Sequence, residues 1–438
     1  MKLIRTKGRN AEQTAETLKA LEARGGAALD TVLPAVKRIV SDVRRQGDRA
    51  LLRYAAQFDR LPGLSALRVT REEMSAAWES TKSDLRDALT RAAEQIREFA
   101  NRQKPSSWNE TSIPGLTTGQ LVRALGSVGC YVPSGRHPLP STLLMTAIPA
   151  QVAGVERIVV VSPAPAIETL AAAHLLGITE FYRVGGAHAV AALAYGTASI
   201  PRVDKIVGPG NLYVTAAKRL VAFDCAIDML AGPTEIVVTS ETGKPGDIAS
   251  DLVAQAEHDP EALAIFITTH SDLAKAVIAE SKLRSRGNPI ARASLDRNGF
   301  VILASTLDMA REITNRIAPE HLTVDTARDL AWVKNAGSVF VGRWSAQPMG
   351  DYISGPNHTL PTGGMARVRG GLSVNDFIKL ITVQQYNATA MRTLGPRAVL
   401  LAEAEGLTGH AEAIRERLRT RQRATPAAAT PLSRKTNV

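Results

Sequence analysis

Only two cysteines occur in 438 residues, and aromatic side chains make up 4% of the chain. Two thiols without a CxxC pattern cannot build a disulfide framework, and Cys130 and Cys225 both lie in apolar stretches that suit buried, reduced thiols. So few aromatics leave little for base stacking. The net charge of +11 therefore does not point to nucleic acid by itself, because lysine and arginine are spread along the chain. Even the densest basic stretch, "RERLRTRQR" at 415–423, has the spacing of a solvated helix end. A long apolar run is also missing, both in the opening "MKLIRTKGRNAEQTAETLKA" and later, so neither a signal peptide nor a membrane span is expected. These absences predict a cytoplasmic protein with neither nucleic acid nor membrane as partner.

What is present is a chain too long for one core, with an apolar content of 45% that allows sizeable ones. From 27 to 103 the text is charged and helical, with heptad-like apolar spacing in "VLPAVKRIVSDVRRQ" and "LRDALTRAAEQIREFA". From about 128 short β-branched runs alternate with helical segments: "RIVVVS", "FYRVGG", "KIVG", "EIVVTS", "LAIFITT", "FVILA" and "SVFVG". A parallel neighbour needs a crossover, so this alternation predicts an α/β fold with two Rossmann-like parallel sheets. A helical region closes the chain at 374–422, and the Ala-, Pro- and Thr-rich end is expected to be disordered.

Chemistry-bearing residues fall into a few short stretches. "KIVGPGNLYVTAAKRLV" reads as strand, tight turn and helix, which aims backbone N–H groups at an anion, and "RVGGAHAVAALAYG" is a similar turn. Neither is a full GxGxxG fingerprint. In "VAQAEHD", Gln255 and His258 stand three apart, so on a helix they share a face and can offer two ligand atoms to one point. Glu320 and His321 are adjacent in "APEHLTV", where a strand begins after a helix, and need a bend to share a cleft. Asp351 opens the loop "GDYISGPNHTLPTGG", whose composition is that of a binding loop, and Glu405 and His410 bracket a "GLTG" turn.

Taken together, "CYVPSGRHPLPSTLLMTAIPAQVAGV", "VDKIVGPGN", "AIDMLAGPTE", "DLVAQAEHD", "APEHL", "GDYISGPNHTLPT" and "EGLTGHAEAI" resemble the histidinol dehydrogenase family, in order and over nearly the whole chain. The resemblance implies an aldehyde-dehydrogenase-like pair of Rossmann-like domains. It also implies a homodimer with an exchanged C-terminal tail, one Zn²⁺ per subunit, and oxidation of L-histidinol to L-histidine with two NAD⁺. By similarity the zinc ligands are Gln255, His258, Asp351 and His410. Glu320 and His321 are the catalytic pair, Thr234 and Glu405 join the ligands and His321 as substrate contacts, and Tyr131, His188 and Asn211 contact NAD⁺. The alternative is a related zinc-dependent dehydrogenase of another polar alcohol, such as a sulfonated diol.

The division expected on this basis is an arm at 1–25, a first Rossmann-like domain from 26–129 with 236–375, and a second, NAD-binding one at 130–235. A helical tail follows at 376–422, then a disordered end at 423–438. Three positions depart from the family wording: His188 where Gln is common, Thr234 where Ser is usual, and Ser134 in place of a turn Gly.

Overall fold

The computed structural model describes residues 1–8, 11–24, 29–134 and 138–419, so the expected disorder at 423–438 lies outside the described residues. The chain divides into two compact units, one of Met1–Lys104 with Ala124–Lys379 and one of Pro105–Arg123 with Leu380–Val438.

The first unit holds two six-stranded sheets. One is parallel throughout, in the order Lys2–Arg5, Gly299–Leu303, Leu263–Thr268, Glu235–Thr239, His321–Val324, Ser338–Val341. The other runs Arg68–Val69, Glu180–Tyr182, Arg157–Val161, Ser127–Tyr131, Lys205–Val207, Ala226–Ile227, with only the short first strand antiparallel. Helices on both faces explain why "EIVVT" and "LAIFIT" are apolar without alternation: every residue of both strands is buried.

The expected grouping of 26–129 with 236–375 is corrected by the packing. Helix Leu29–Gln46 turns Val36, Ile39, Val40 and Val43 inward at helical spacing, and these cluster with Val190, Ile206 and Val214 of the second sheet's layer. Helix Ser83–Gln103 likewise buries Leu89, Ala93 and Ile96 against Leu143, Ile148 and Phe181. An amphipathic stripe reveals that a helix packs, not which sheet it packs on. Nor is 1–25 a separate arm, since Lys2–Arg5 pairs with Gly299–Leu303 as the edge strand of the first sheet.

The second unit carries a three-stranded sheet ordered Ile378–Tyr386, Leu116–Ala124, Trp108–Ile113, then helices Ala388–Ala404 and Thr408–Arg419. The expected helical tail at 376–422 is thus not helical from its start, a third correction. "WNETSIPGLTTGQLV" carried a usable signal, because a Pro-Gly pair between β-prone runs marks a hairpin.

Among the described residues no helix is long and apolar enough to cross a membrane. Both cysteines are buried and unpaired, and burial pushes the Cys130 thiol up to about 12 and the Cys225 thiol up to about 11, so neither is a nucleophile.

Candidate active site

In the first sheet the chain order reverses between strands Glu235–Thr239 and His321–Val324, and in the second between Ser127–Tyr131 and Lys205–Val207. The amino ends of the first pair and the carboxyl ends of the second frame one cavity of about 650 Å³. Tyr131, Asn211, Thr234, His258, Glu320, His321 and Asp351 all line it.

Glu320 is held by two donors on one oxygen. Thr234 Oγ1 donates to its Oε2 at 2.6 Å and the Glu235 N–H donates to the same atom at 2.8 Å. The single Thr234 hydroxyl hydrogen is thereby spent, so Gln255, which bonds the same hydroxyl, must donate through Nε2. Its Oε1 is left fully buried with no hydrogen-bond partner, an acceptor waiting for a cation or donor.

His321 is oriented by the same segment. The Glu235 carbonyl can only accept, so the 3.1 Å contact assigns the proton to Nδ1 and the lone pair to Nε2. Nε2 is buried without a hydrogen-bond partner, 3.8 Å from Asp351 Oδ1. The bend that two adjacent residues require is present. Ala318 adopts a left-handed φ of 50°, Pro319 follows, and Glu320 Oε2 ends 3.6 Å from His321 Nδ1.

Burial raises the Glu320 carboxyl to about 7, against the opposing pull of His321, Thr234 and the Glu235 N–H. Burial depresses His321, but the Glu320 and Asp351 carboxylates and the Glu235 carbonyl outweigh it and its pKa rises. A buried carboxyl raised to about 7 beside an imidazole whose pKa is also raised suits acid–base work.

Helix Pro245–Ala256 carries Gln255 in its last turn, and His258 lies just beyond the helix end with its N–H on the Gln255 carbonyl. Asp259 precedes Pro260, which disfavours helical backbone there, so the expected single helical face is instead a helix end and the turn after it. Asp351 sits in helix Gln347–Tyr352, its Oδ2 accepting from Gln347 Nε2 at 3.0 Å and its carbonyl from His358 Nδ1 at 2.9 Å. Gln347 is nearly fully buried, and nothing in the sequence marked it.

Among the described residues no three His, Cys, Asp or Glu side chains converge at metal-binding distance. Glu405 and His410 lie in the second unit, exposed on a helix end and on the following helix.

The dinucleotide positions divide. Tyr131 and Asn211 line the cavity, but Asn211 Oδ1 is committed to the N–H groups of Tyr213 and Val214, capping helix Leu212–Val221. His188 is not on the cavity wall. It is 1% exposed, with Nε2 2.7 Å from Asp59 Oδ2, the same atom that accepts from the Gly185 N–H at 3.0 Å. The Gly186 N–H donates to Tyr131 Oη at 3.0 Å, so His188 stands behind the turn and reaches the cavity only through it.

The histidinol dehydrogenase family model matches residues 22–418. The histidinol dehydrogenase of Geobacillus kaustophilus (strain HTA426) is 46% identical over 421 residues, covering 92% of this chain and 99% of that protein. That of Methanothermobacter thermautotrophicus is 47% identical over 405 residues, covering 89% and 94%. The crystal structure of histidinol dehydrogenase from Elizabethkingia anophelis superposes with a TM-score of 0.89 at 34% identity, covering 96% of this chain and 98% of that one. The chain belongs to the histidinol dehydrogenase family.

Proposed function

We propose that this chain oxidises L-histidinol to L-histidine through L-histidinaldehyde, as a cytoplasmic enzyme of histidine biosynthesis that uses two NAD⁺ in succession. The observation that supports it most is one cavity joining a carboxyl of raised pKa, an imidazole with an unpartnered buried Nε2 and a wall containing Tyr131 and Asn211. When bound, NAD⁺ would supply the hydride acceptor for each oxidation.

In the first, His321 Nε2 takes the hydroxyl proton as hydride leaves the alcohol carbon. The Glu235 carbonyl holds Nδ1–H throughout, so the proton enters at Nε2, the nitrogen without a hydrogen-bond partner. In the second, water adds to the aldehyde carbon while Glu320 takes its proton. Thr234 and the Glu235 N–H hold Oε2, leaving Oε1 as the basic oxygen. Thr234 also borders the substrate, and Tyr131 and Asn211 border the dinucleotide.

Gln255, His258 and Asp351 are proposed to hold one zinc ion. The fit rests on the orphaned Gln255 Oε1, a weak and displaceable donor buried next to Thr234, and on His258 and Asp351, an imidazole and a carboxylate residue that line the cavity. When bound, the metal supplies a Lewis-acid anchor for the substrate's imidazole and amino groups. His410 as the fourth ligand and Glu405 as a substrate contact would come from the partner copy of a homodimer with exchanged tails.

Replacing Glu320→Gln tests the division of labour. Conversion of supplied histidinaldehyde to histidine should fall at least about tenfold further than the first hydride transfer, because only the later step needs an activated water. Equal losses in both half-reactions, followed as NADH formed, would reject the assignment.

A further inference from the structure

We infer that Arg24, paired with Glu235, is a positioning residue for the oxidation, a reading that rests on the roles proposed above for Glu320 and His321. Both of those side chains are held by one residue's backbone, since the Glu235 N–H binds Glu320 Oε2 and its carbonyl binds His321 Nδ1. The placement of residue 235 therefore sets the placement of both bases.

The Glu235 side chain is 4% exposed and gripped bidentately by Arg24, Nε to Oε1 at 2.6 Å and Nη2 to Oε2 at 2.5 Å. The remaining guanidinium nitrogen does a second task. Arg24 Nη1 donates to the Leu21 carbonyl at 2.6 Å and to the Ile317 carbonyl at 2.9 Å. Ile317 ends helix Leu307–Ile317, and three residues later the chain delivers Glu320 and then His321. One guanidinium thus ties the strand start that orients the two bases to the helix end that supplies them. Glu235 Oε1 also accepts from the Gly363 N–H at 2.9 Å, and Thr362 accepts from the Gly232 N–H, so the loop behind Thr234 is anchored to the same point.

A buried ion pair is a poor source of stability, because desolvation offsets most of its attraction. Its use here is geometric: a planar fork with four bonds leaves the two segments no freedom to slide. Lysine keeps the charge but not the fork, so it is not an equivalent replacement.

The full-length chain, loaded with zinc, is compared as parent, Arg24→Ala and Arg24→Lys, with kcat and the KM for NAD⁺ from NADH formation, histidinol Kd from calorimetry and fold from near-UV circular dichroism. Arg24→Ala should lower kcat by about tenfold or more while histidinol Kd and the KM for NAD⁺ stay within about threefold, since misplacement of the bases costs rate rather than binding. Arg24→Lys should fall between. A folded Arg24→Ala with kcat within about twofold of the parent would overturn the inference. Should Arg24→Ala fail to fold, Arg24→Lys decides: a kcat about threefold below the parent at unchanged histidinol Kd supports the positioning role, and a parental kcat overturns it. A parent that binds but never oxidises histidinol would instead remove the proposed function, and this inference with it.

Discussion

His321 can serve as a base because its other nitrogen is already occupied, and Glu320 can do so near neutrality because it is buried. A carboxyl raised to about 7 is protonated below that pH and becomes a base only as pH rises through it. Oxidation of supplied histidinaldehyde should therefore climb between about pH 6 and about pH 8 in the parent, and Glu320→Gln should flatten that rise. A parent profile flat over the same range would contradict the raised carboxyl. At this scale the gathering of His258, Glu320, His321 and Asp351 at one cavity was legible where the wording was local, each standing in a short, distinctive stretch. Their supports were not. Thr234 meets Glu320 across 86 positions, Asp59 meets His188 across 129 and Arg24 meets Glu235 across 211, and no periodicity encodes such pairings.

Elements were read from period and punctuation. The seven β-branched runs became strands because both faces of each parallel sheet are covered, which apolar continuity foretells. The hairpin at 108–124 and the strand Ile378–Tyr386 escaped because neither is an unbroken buried apolar run. Trp108–Ile113 is exposed and mostly polar, Leu116–Ala124 is mostly half-buried, and Ile378–Tyr386 carries its apolar residues on an exposed strand inside a stretch read as helical. The turn at 208–211 is held from within. Asp228 accepts from the Gly208 N–H at 2.7 Å and pairs with Lys218 at 2.7 Å, both side chains almost wholly buried. Gly208 has φ 113° and a side chain there would meet the Tyr131 carbonyl, so this turn and the Tyr131 strand are locked together. Lys218→Met leaves Asp228 charged and unpaired, which should cost about 3–5 kcal/mol in urea unfolding and raise the KM for NAD⁺. An unchanged urea midpoint would show that the pair carries no structural load.

The whole molecule was legible as α/β with two parallel sheets, but not in the assignment of its helices, because an amphipathic stripe has no address. Assembly is the remaining question at this scale. Under the proposed tail exchange, His258→Ala and His410→Ala chains refolded together form mixed dimers in which one site has an intact core and an intact tail, so activity should partly return. Persistent inactivity, with mixed dimers shown to form, would exclude the exchange. The proposed chemistry is two successive oxidations, each passing a hydride to NAD⁺ with neighbouring bases of one cavity taking the protons, and with the aldehyde retained between them. The direct measure is the count of NADH formed per histidinol consumed at completion, with free aldehyde trapped and quantified. Two NADH per histidinol with almost no free aldehyde is the predicted result, and one NADH with an equal amount of released aldehyde would contradict it.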